Sequence, residues 1–364
     1  MSFDATKTTI KRNPSPQPLP PSDKLGFGVH YTPHMAIVHW TKASGWDTPA
    51  IVPFGEYPMH LGSSCLHYGL EIFEGLKAYI TADGRVVLFR PIENAKRMRR
   101  SAERLALPTF DPEDLVELIK RAVWNDRDYI PKGTDMSLYI RPTLVAMDER
   151  LGVKAPEKAM LYILLSPTGL YFHEANPKLY ATHKWSRACR GGVGDCKCGG
   201  NYAASIMPQA YAATKGCSQV LWLTPDDDKS VTEVGAMNFM MAFKESDGHL
   251  KIVTAPIDGI ILPGITRMSL LEIMREDPRF KGIEVVEKYI GIEELVRKIE
   301  NGECVECFGC GTAAIVTPTG SIVYEDDEYK LPENHDLAKK LHDCLCDIQY
   351  GRTVHKDWTV EVKY

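Results

Sequence analysis

The sequence predicts a mixed α/β protein of two domains, and three observations support this. The chain has 364 residues, too many for one small core and ordinary for two. Its composition, 44% hydrophobic and 25% charged, is that of a globular protein able to build such cores. Short β-branched runs alternate with segments of helical period along most of its length.

The elements follow in order. Residues 1–24 are polar and carry prolines at 14, 16, 18, 20 and 21. They read as a disordered or loosely packed arm. Arg85–Arg90 is a β-branched run and reads as a strand, and Pro91–Leu107 as a helix with proline in its first turn. Asp111-Pro112 opens another helix, capped by Asp111. Its Leu115, Leu118, Ile119, Ala122 and Val123 fall on one face. Met136–Val145 and Ala159–Ser166 read as strands, the second apolar enough to be buried on both faces. Residues 171–185 mix Pro, Asn, His and aromatics without a period and read as an interdomain connection. The domains are then 25–170, the smaller, and 186–364, the larger. In the second, strands are expected at Gln219–Leu223, Met237–Phe243, Lys251–Ala255 and Glu284–Val286. Helices are expected at Ala203–Lys215, Arg267–Glu276, Glu293–Asn301 and Asp336–Tyr350. Cys304–Thr317 reads as strand, glycine turn, strand.

The net charge of −5 and a pI near 6.1 give no electrostatic case for nucleic acid or an acidic membrane surface. There is no apolar run of about eighteen residues. The first 24 residues lack the apolar stretch of a secretory signal, so a cytoplasmic protein is expected. Lys11 and Arg12 among Ser and Thr leave a mitochondrial transit segment as the alternative. Ten cysteines without a secretory signal point to reduced thiols. Cys304-x-x-Cys307-x-x-Cys310 has ligand-like spacing, and a metal or iron–sulfur protein is the rival from another class. No nearby fourth cysteine precedes a proline, so buried thiols and no metal are the expectation.

Several segments are able to carry chemistry. Lys197 lies in Gly191–Gly200, a glycine-rich stretch where the backbone can approach a ligand closely. A buried lysine there can act as a nucleophilic amine, whereas an exposed one is only a solvated loop residue. Leu262-Pro263-Gly264-Ile265-Thr266-Arg267 precedes a helix whose first N–H groups suit a phosphate, or is a plain Pro-Gly turn. Gly309–Ala314 is a second anion nest or a β-turn. Arg97, among Arg99, Arg100 and Arg104, could face a phosphate or solvent. Glu233 is placed between two strands, where a buried carboxylate can hold a proton on a ring nitrogen. Tyr139 and Arg141 share one side of a strand by the period of two, and a buried Arg141 wants a carboxylate partner.

In this order the segments resemble the branched-chain aminotransferases, the fold-type IV enzymes of pyridoxal 5'-phosphate (PLP). The match is carried by His67-Tyr68-Gly69, Phe73-Glu74-Gly75-Leu76-Lys77-Ala78-Tyr79, Phe89-Arg90-Pro91 with Arg97, and Ser137 to Pro142. It continues through Gly191 to Asp195 with Lys197, Gly199 to Tyr202, Thr232 to Gly235, Leu262 to Arg267, Gly311 to Ala314 and Ile348 to Gly351. The resemblance implies a smaller N-terminal and a larger C-terminal domain with the cofactor at their interface. It implies that Lys197 carries the cofactor and shuttles the proton, Tyr202 binds its phenolic oxygen and Glu233 keeps its ring nitrogen protonated. Arg97, the amides of Ile265 and Thr266 and the hydroxyl of Thr312 would form the phosphate cup. The amides of Thr312 and Ala313 would receive the substrate α-carboxylate. Tyr68, Phe73, Tyr139 and Tyr171 would line the side-chain pocket, and Arg141 would catch the distal carboxylate of glutamate or 2-oxoglutarate. The implied reaction is transamination of leucine, isoleucine or valine with 2-oxoglutarate by a homodimer. A D-amino-acid or amine transaminase, or a lyase acting on aminodeoxychorismate, is the alternative.

The chain departs from its relatives at Cys196 and Cys198, which bracket the lysine, and at Cys310, where a serine is usual. Ala314 and Thr317 stand where mammalian mitochondrial relatives carry a redox Cys-x-x-Cys. The Cys304, Cys307, Cys310 run is expected to make the protein sensitive to thiol oxidants.

Overall fold

The computed structural model describes residues 2–169 and 176–364. They divide into two compact units. The first comprises residues 1–171, 196–199 and 346–364, and the second residues 172–195 and 200–345.

The first unit is built on a ten-stranded sheet. At its centre Ser137–Ala146 runs antiparallel to Lys158–Thr168, in register from Ser137 opposite Thr168 to Ala146 opposite Ala159. Residues on both faces of Lys158–Thr168 are buried, including Ala159, Met160, Leu161, Ile163 and Leu165, as its continuous apolar run requires. His34–Thr41 flanks this pair on one side, and Leu76–Ile80, Val86–Phe89 and Thr359–Val362 extend the sheet on the other. The helices Pro91–Arg104 and Pro112–Asn125 belong to the same unit. Asp111 caps the second by accepting from Glu113 N, and its five periodic apolar residues are buried.

Three features depart from the sequence reading. The start of the N-terminal segment is tied down rather than loose. Phe3 is buried between Trp46 and Phe110, with ring centroids 5.5 and 6.3 Å away, and Thr9–Ile10 pairs with Ala50–Ile51. Aromatic burial outweighs the polar composition there. Lys178–Thr182, inside the expected connection, is a strand of the second sheet, pairing with Gln219–Leu223 and Ser321–Tyr324. Residues 196–199 and 346–364, expected in the second domain, lie in the first and make it the larger. The C-terminal piece is held there because Thr359–Val362 pairs with Val86–Phe89, an edge that no local pattern announces.

The second unit carries another ten-stranded sheet. Met237–Lys244 is its hub, with Leu250–Thr254 on one side and Cys304–Gly311 on the other, while its first residues also meet Val231–Val234. Phe239, Met241 and Phe243 from this strand pack with Leu221, Val253 and Leu295. The helices Ile265–Glu276 and Ile292–Glu300 present buried faces. The expected helix over 203–215 is two pieces, Gly199–Ala203 and Ile206–Thr214, with Ala204 and Ser205 between them.

Candidate active site

In the first unit the backbone of Lys197 is fixed from two sides. Its N–H donates to Ser101 Oγ at 3.1 Å, and its carbonyl accepts from Phe73 N at 2.9 Å. Next to it Cys198 makes an antiparallel bridge with Ile72. Gly199 gives room to the Glu71 carboxylate, which a Cβ there would overlap. The glycine-flanked lysine is thus an addition to the edge of the Glu71–Phe73 strand, not a solvated loop. Its Nζ lies 4.6 Å from the centroid of the Phe73 ring.

The same unit holds a buried ion pair. Arg97, on the helix Pro91–Arg104, grips Glu74 with two parallel bonds: Nε to Oε1 at 2.7 Å and Nη2 to Oε2 at 2.8 Å. Asn94 Nδ2 adds a third at 2.8 Å. Burial works to raise the Glu74 carboxyl, but Arg97, with help from Lys197 and Asn94, outweighs it and holds the group below its ordinary range. Glu74 therefore stands as a carboxylate, a partner for Arg97 that no motif reveals. The two lie 23 positions apart, and only the strand-to-helix packing joins them.

Tyr139 and Arg141 do share a face. Arg141 Nη2 donates to the Tyr139 hydroxyl at 3.1 Å, and the guanidinium carbon lies 4.7 Å from the Phe73 ring and 5.2 Å from that of Tyr139. Phe27 meets Tyr139 edge-on at 4.7 Å. Gly75 makes room for this wall, since a Cβ there would overlap the Tyr139 hydroxyl. The carboxyl of Glu71 is raised by burial, with Arg141 opposing. Tyr68 ends the short helix Ser64–Tyr68 and is 46% exposed, away from any closed wall of this unit. Tyr171 lies outside the described residues.

In the second unit Glu233 is not in a turn but in the strand Val231–Val234, opposite Asn238 across the tight Gly235-Ala236 connection. Gly235, at φ 54°, supplies the turn. Glu233 is buried. Its Oε2 pairs with Arg187 Nη1 at 2.7 Å, and its Oε1 accepts from Asn238 Nδ2 at 2.9 Å. Arg187 carries no signal in the sequence, because it sits in an aperiodic segment, 185–195. Here it also reaches the Ile260 carbonyl at 3.3 Å.

Gly264 caps the helix Ile265–Glu276, so Thr266 is its second residue and not its cap. The first helical bond runs from Met268 N to Gly264 O, which leaves the amides of Ile265, Thr266 and Arg267 outside the helical ladder. Such amides, with the helix dipole, make an anion site. Thr312 and Ala313 form a half-buried turn between Cys304–Gly311 and Ile315–Pro318. Tyr202 is half-buried on the helix Gly199–Ala203. This unit thus offers a buried carboxylate held by a cation and an amide, linked through Asn238 to the Leu262 carbonyl just before the helix Ile265–Glu276. A pyridine ring with a phosphate tail fits that donor set.

Cys304, Cys307 and Cys310 are all buried, and among the described residues the three sulfurs form no ligand cluster. Burial pushes the Cys310 thiol up to about 12, with Glu233 adding and Arg267 opposing. A protonated, enclosed thiol is a poor target for oxidants, so the expected sensitivity has no basis at Cys310.

A lysine fixed by its backbone in one unit, and in the other a buried carboxylate linked to the segment before a helix start, are groups that a PLP enzyme can use. The amino-transferase class IV family matches residues 71–322. The chain belongs to the class-IV aminotransferases, which work through PLP. It is 44% identical to the cytosolic branched-chain-amino-acid aminotransferase of Mus musculus, over 98% of this chain and 91% of that one. It is 43% identical to the mitochondrial enzyme of that name from Schizosaccharomyces pombe, over 94% and 82%. Among solved structures, the T.th. branched-chain amino acid aminotransferase with pyridoxamine 5'-phosphate superposes with a TM-score of 0.71. It is 28% identical and covers 90% of this chain and 98% of its own. The Escherichia coli enzyme gives 0.69 at 25% identity, over 90% and 100%.

Proposed function

We propose that the protein transfers the amino group of leucine, isoleucine or valine to 2-oxoglutarate, giving the branched 2-oxo acid and glutamate. The observation that carries the substrate reading is the Phe73–Tyr139–Arg141 wall. Two aromatic faces suit an aliphatic side chain, and the guanidinium stacked on them gives a carboxylate an alternative place on the same surface.

PLP supplies an electron sink for the bond broken at the substrate Cα. The residues supply the rest. Lys197 would hold the cofactor and would move the proton at the substrate Cα. Glu233, paired with Arg187, would hold a proton on the ring nitrogen. Tyr202 donates to the phenolic oxygen. The amides of Ile265 and Thr266 and the hydroxyl of Thr312 bind the phosphate. Arg97, held by Glu74 through Nε and Nη2, would add its charge to the phosphate cup. The amides of Thr312 and Ala313 take the α-carboxylate.

The test is an absorbance spectrum of the purified protein. The protein is expected to be yellow, to bleach with L-leucine and to recover its colour with 2-oxoglutarate. A colourless protein that takes up no added PLP refutes the reading. Bleaching by D-alanine or a simple chiral amine in place of L-leucine moves it to the related transaminases.

A homodimer completes the proposal. Leu61, Leu66 and Tyr68 are exposed on one loop and helix of the first unit, an apolar surface of the kind that a partner subunit covers. Sedimentation is expected to show a dimer, and a monomer that keeps full activity on dilution overturns it.

A further inference from the structure

Asn238 occupies a position that none of the assigned roles uses. Its side chain is 3% exposed. Its Nδ2 donates twice, to Glu233 Oε1 at 2.9 Å and to the Leu262 carbonyl at 2.8 Å. Its Oδ1 lies so close to Gly264 that a Cβ on that residue would overlap it. Its backbone pairs with Cys310, one residue before Gly311 and two before Thr312. One residue therefore touches, through its side chain, the carboxylate assigned to the ring nitrogen and the turn before the helix Ile265–Glu276, and, through its backbone, the strand that leads to Thr312.

These contacts fix more than one carboxylate oxygen. Both hydrogens of Nδ2 are committed, so the amide cannot rotate without breaking a buried bond at one end or the other. Oδ1 packs where a Cβ on Gly264 would stand, so the side chain also lies against the residue that caps Ile265–Glu276. Arg187 neutralises Glu233 from the Oε2 side and reaches the Ile260 carbonyl, short of that first turn. Asn238 thus ties the Glu233 carboxylate and the amides of Ile265 and Thr266 into one rigid arrangement.

We propose that Asn238 is a positioning residue that couples the ring-nitrogen grip to the phosphate grip, so that the two ends of PLP bind cooperatively. The proposal rests on the PLP reading of this unit. It predicts how binding energy is shared between two ends of one ligand, which is separable from turnover.

The test is equilibrium binding of PLP and of pyridoxal, which lacks the phosphate, to the full chain stripped of cofactor. Four proteins are compared: the parent, Asn238→Ala, Glu233→Gln and the double variant. Asn238→Ala is expected to weaken PLP about tenfold or more and pyridoxal much less, so that the advantage conferred by the phosphate shrinks. The double variant is expected to lose less than the product of the two single losses. Asn238→Asp keeps the shape and Oδ1 but removes both donations, and it is expected to show the same pattern if the alanine variant folds poorly. A PLP dissociation constant within about twofold of the parent overturns the inference. So do equal losses for PLP and pyridoxal, or strictly multiplicative effects. A parent that binds no PLP refutes the functional reading instead, which keeps the two failures distinct.

Discussion

Replacing Lys197 by alanine is expected to lower transamination by about 10^4-fold or more while leaving the fold and non-covalent PLP binding in place. The loss combines two functions of one amine: the covalent hold on the cofactor and the proton transfer at Cα. The structure explains why the fold survives. Lys197 contributes to the first sheet through its backbone, by the bonds to Ser101 and Phe73, and alanine keeps both. Its Nζ also helps to hold Glu74 ionised, but Arg97 contributes more to that shift. The variant is therefore expected to melt within a few degrees of the parent. Borohydride treatment followed by peptide mapping is expected to attach cofactor at residue 197 in the parent and nowhere in the variant. Added methylamine is expected to restore a small part of the rate, since a mobile amine can take over the proton transfer. A variant that keeps a tenth or more of parental activity would remove Lys197 from its assigned role.

The lysine also shows how far the sequence can be read. Its chemistry is legible from the company it keeps in order along the chain. Its address is not. Glycines at 199 and 200 look like a flexible loop, yet Gly199 is there because Glu71 packs against its Cα, and Ile72 pairs with Cys198. That is a contact across more than 120 positions, and no local period encodes it. The helix Pro112–Asn125 is the opposite case. Its cap, its proline and its apolar face are all local, and all are legible. Glu233 falls between the two. The glycine after Val234 marks a turn correctly, but a turn of two residues leaves Glu233 inside the strand and directly opposite Asn238. Arg187 and Glu74 are out of reach for one reason. Each matters through a single charged partner far along the chain, and sequence shows a charge without showing what it faces. The N-terminal segment misleads because its composition hides the weight of one residue, Phe3, whose burial against Trp46 and Phe110 ties the arm down.

The Glu74–Arg97 pair carries the largest expected effect on stability. Both side chains are almost wholly buried, at 1% and 6% exposure. Glu74→Ala leaves the buried guanidinium without its bidentate carboxylate. Breaking such a pair from one side costs about 3–5 kcal/mol, which corresponds to a fall in Tm on the order of 10 °C. Glu74→Gln keeps the shape and the acceptor oxygen but not the charge, and is expected to lie between the two. The decisive comparison is Glu74→Leu with Arg97→Met. A well-packed apolar pair can replace a buried ion pair with little loss, so the double variant is expected to regain most of the stability that either single change removes. It is not expected to regain PLP affinity, because a thioether at position 97 offers nothing to a phosphate. Stability restored without affinity would show that Glu74 keeps Arg97 in place and charged, and that Arg97 serves the cofactor. If thermal melts show Glu74→Ala within about 1 kcal/mol of the parent, far below the cost of a broken buried pair, the pair is not the buried lock that its geometry describes. If the double variant binds PLP as the parent does, Arg97 has no part in the phosphate cup, and that site consists of the helix start and Thr312.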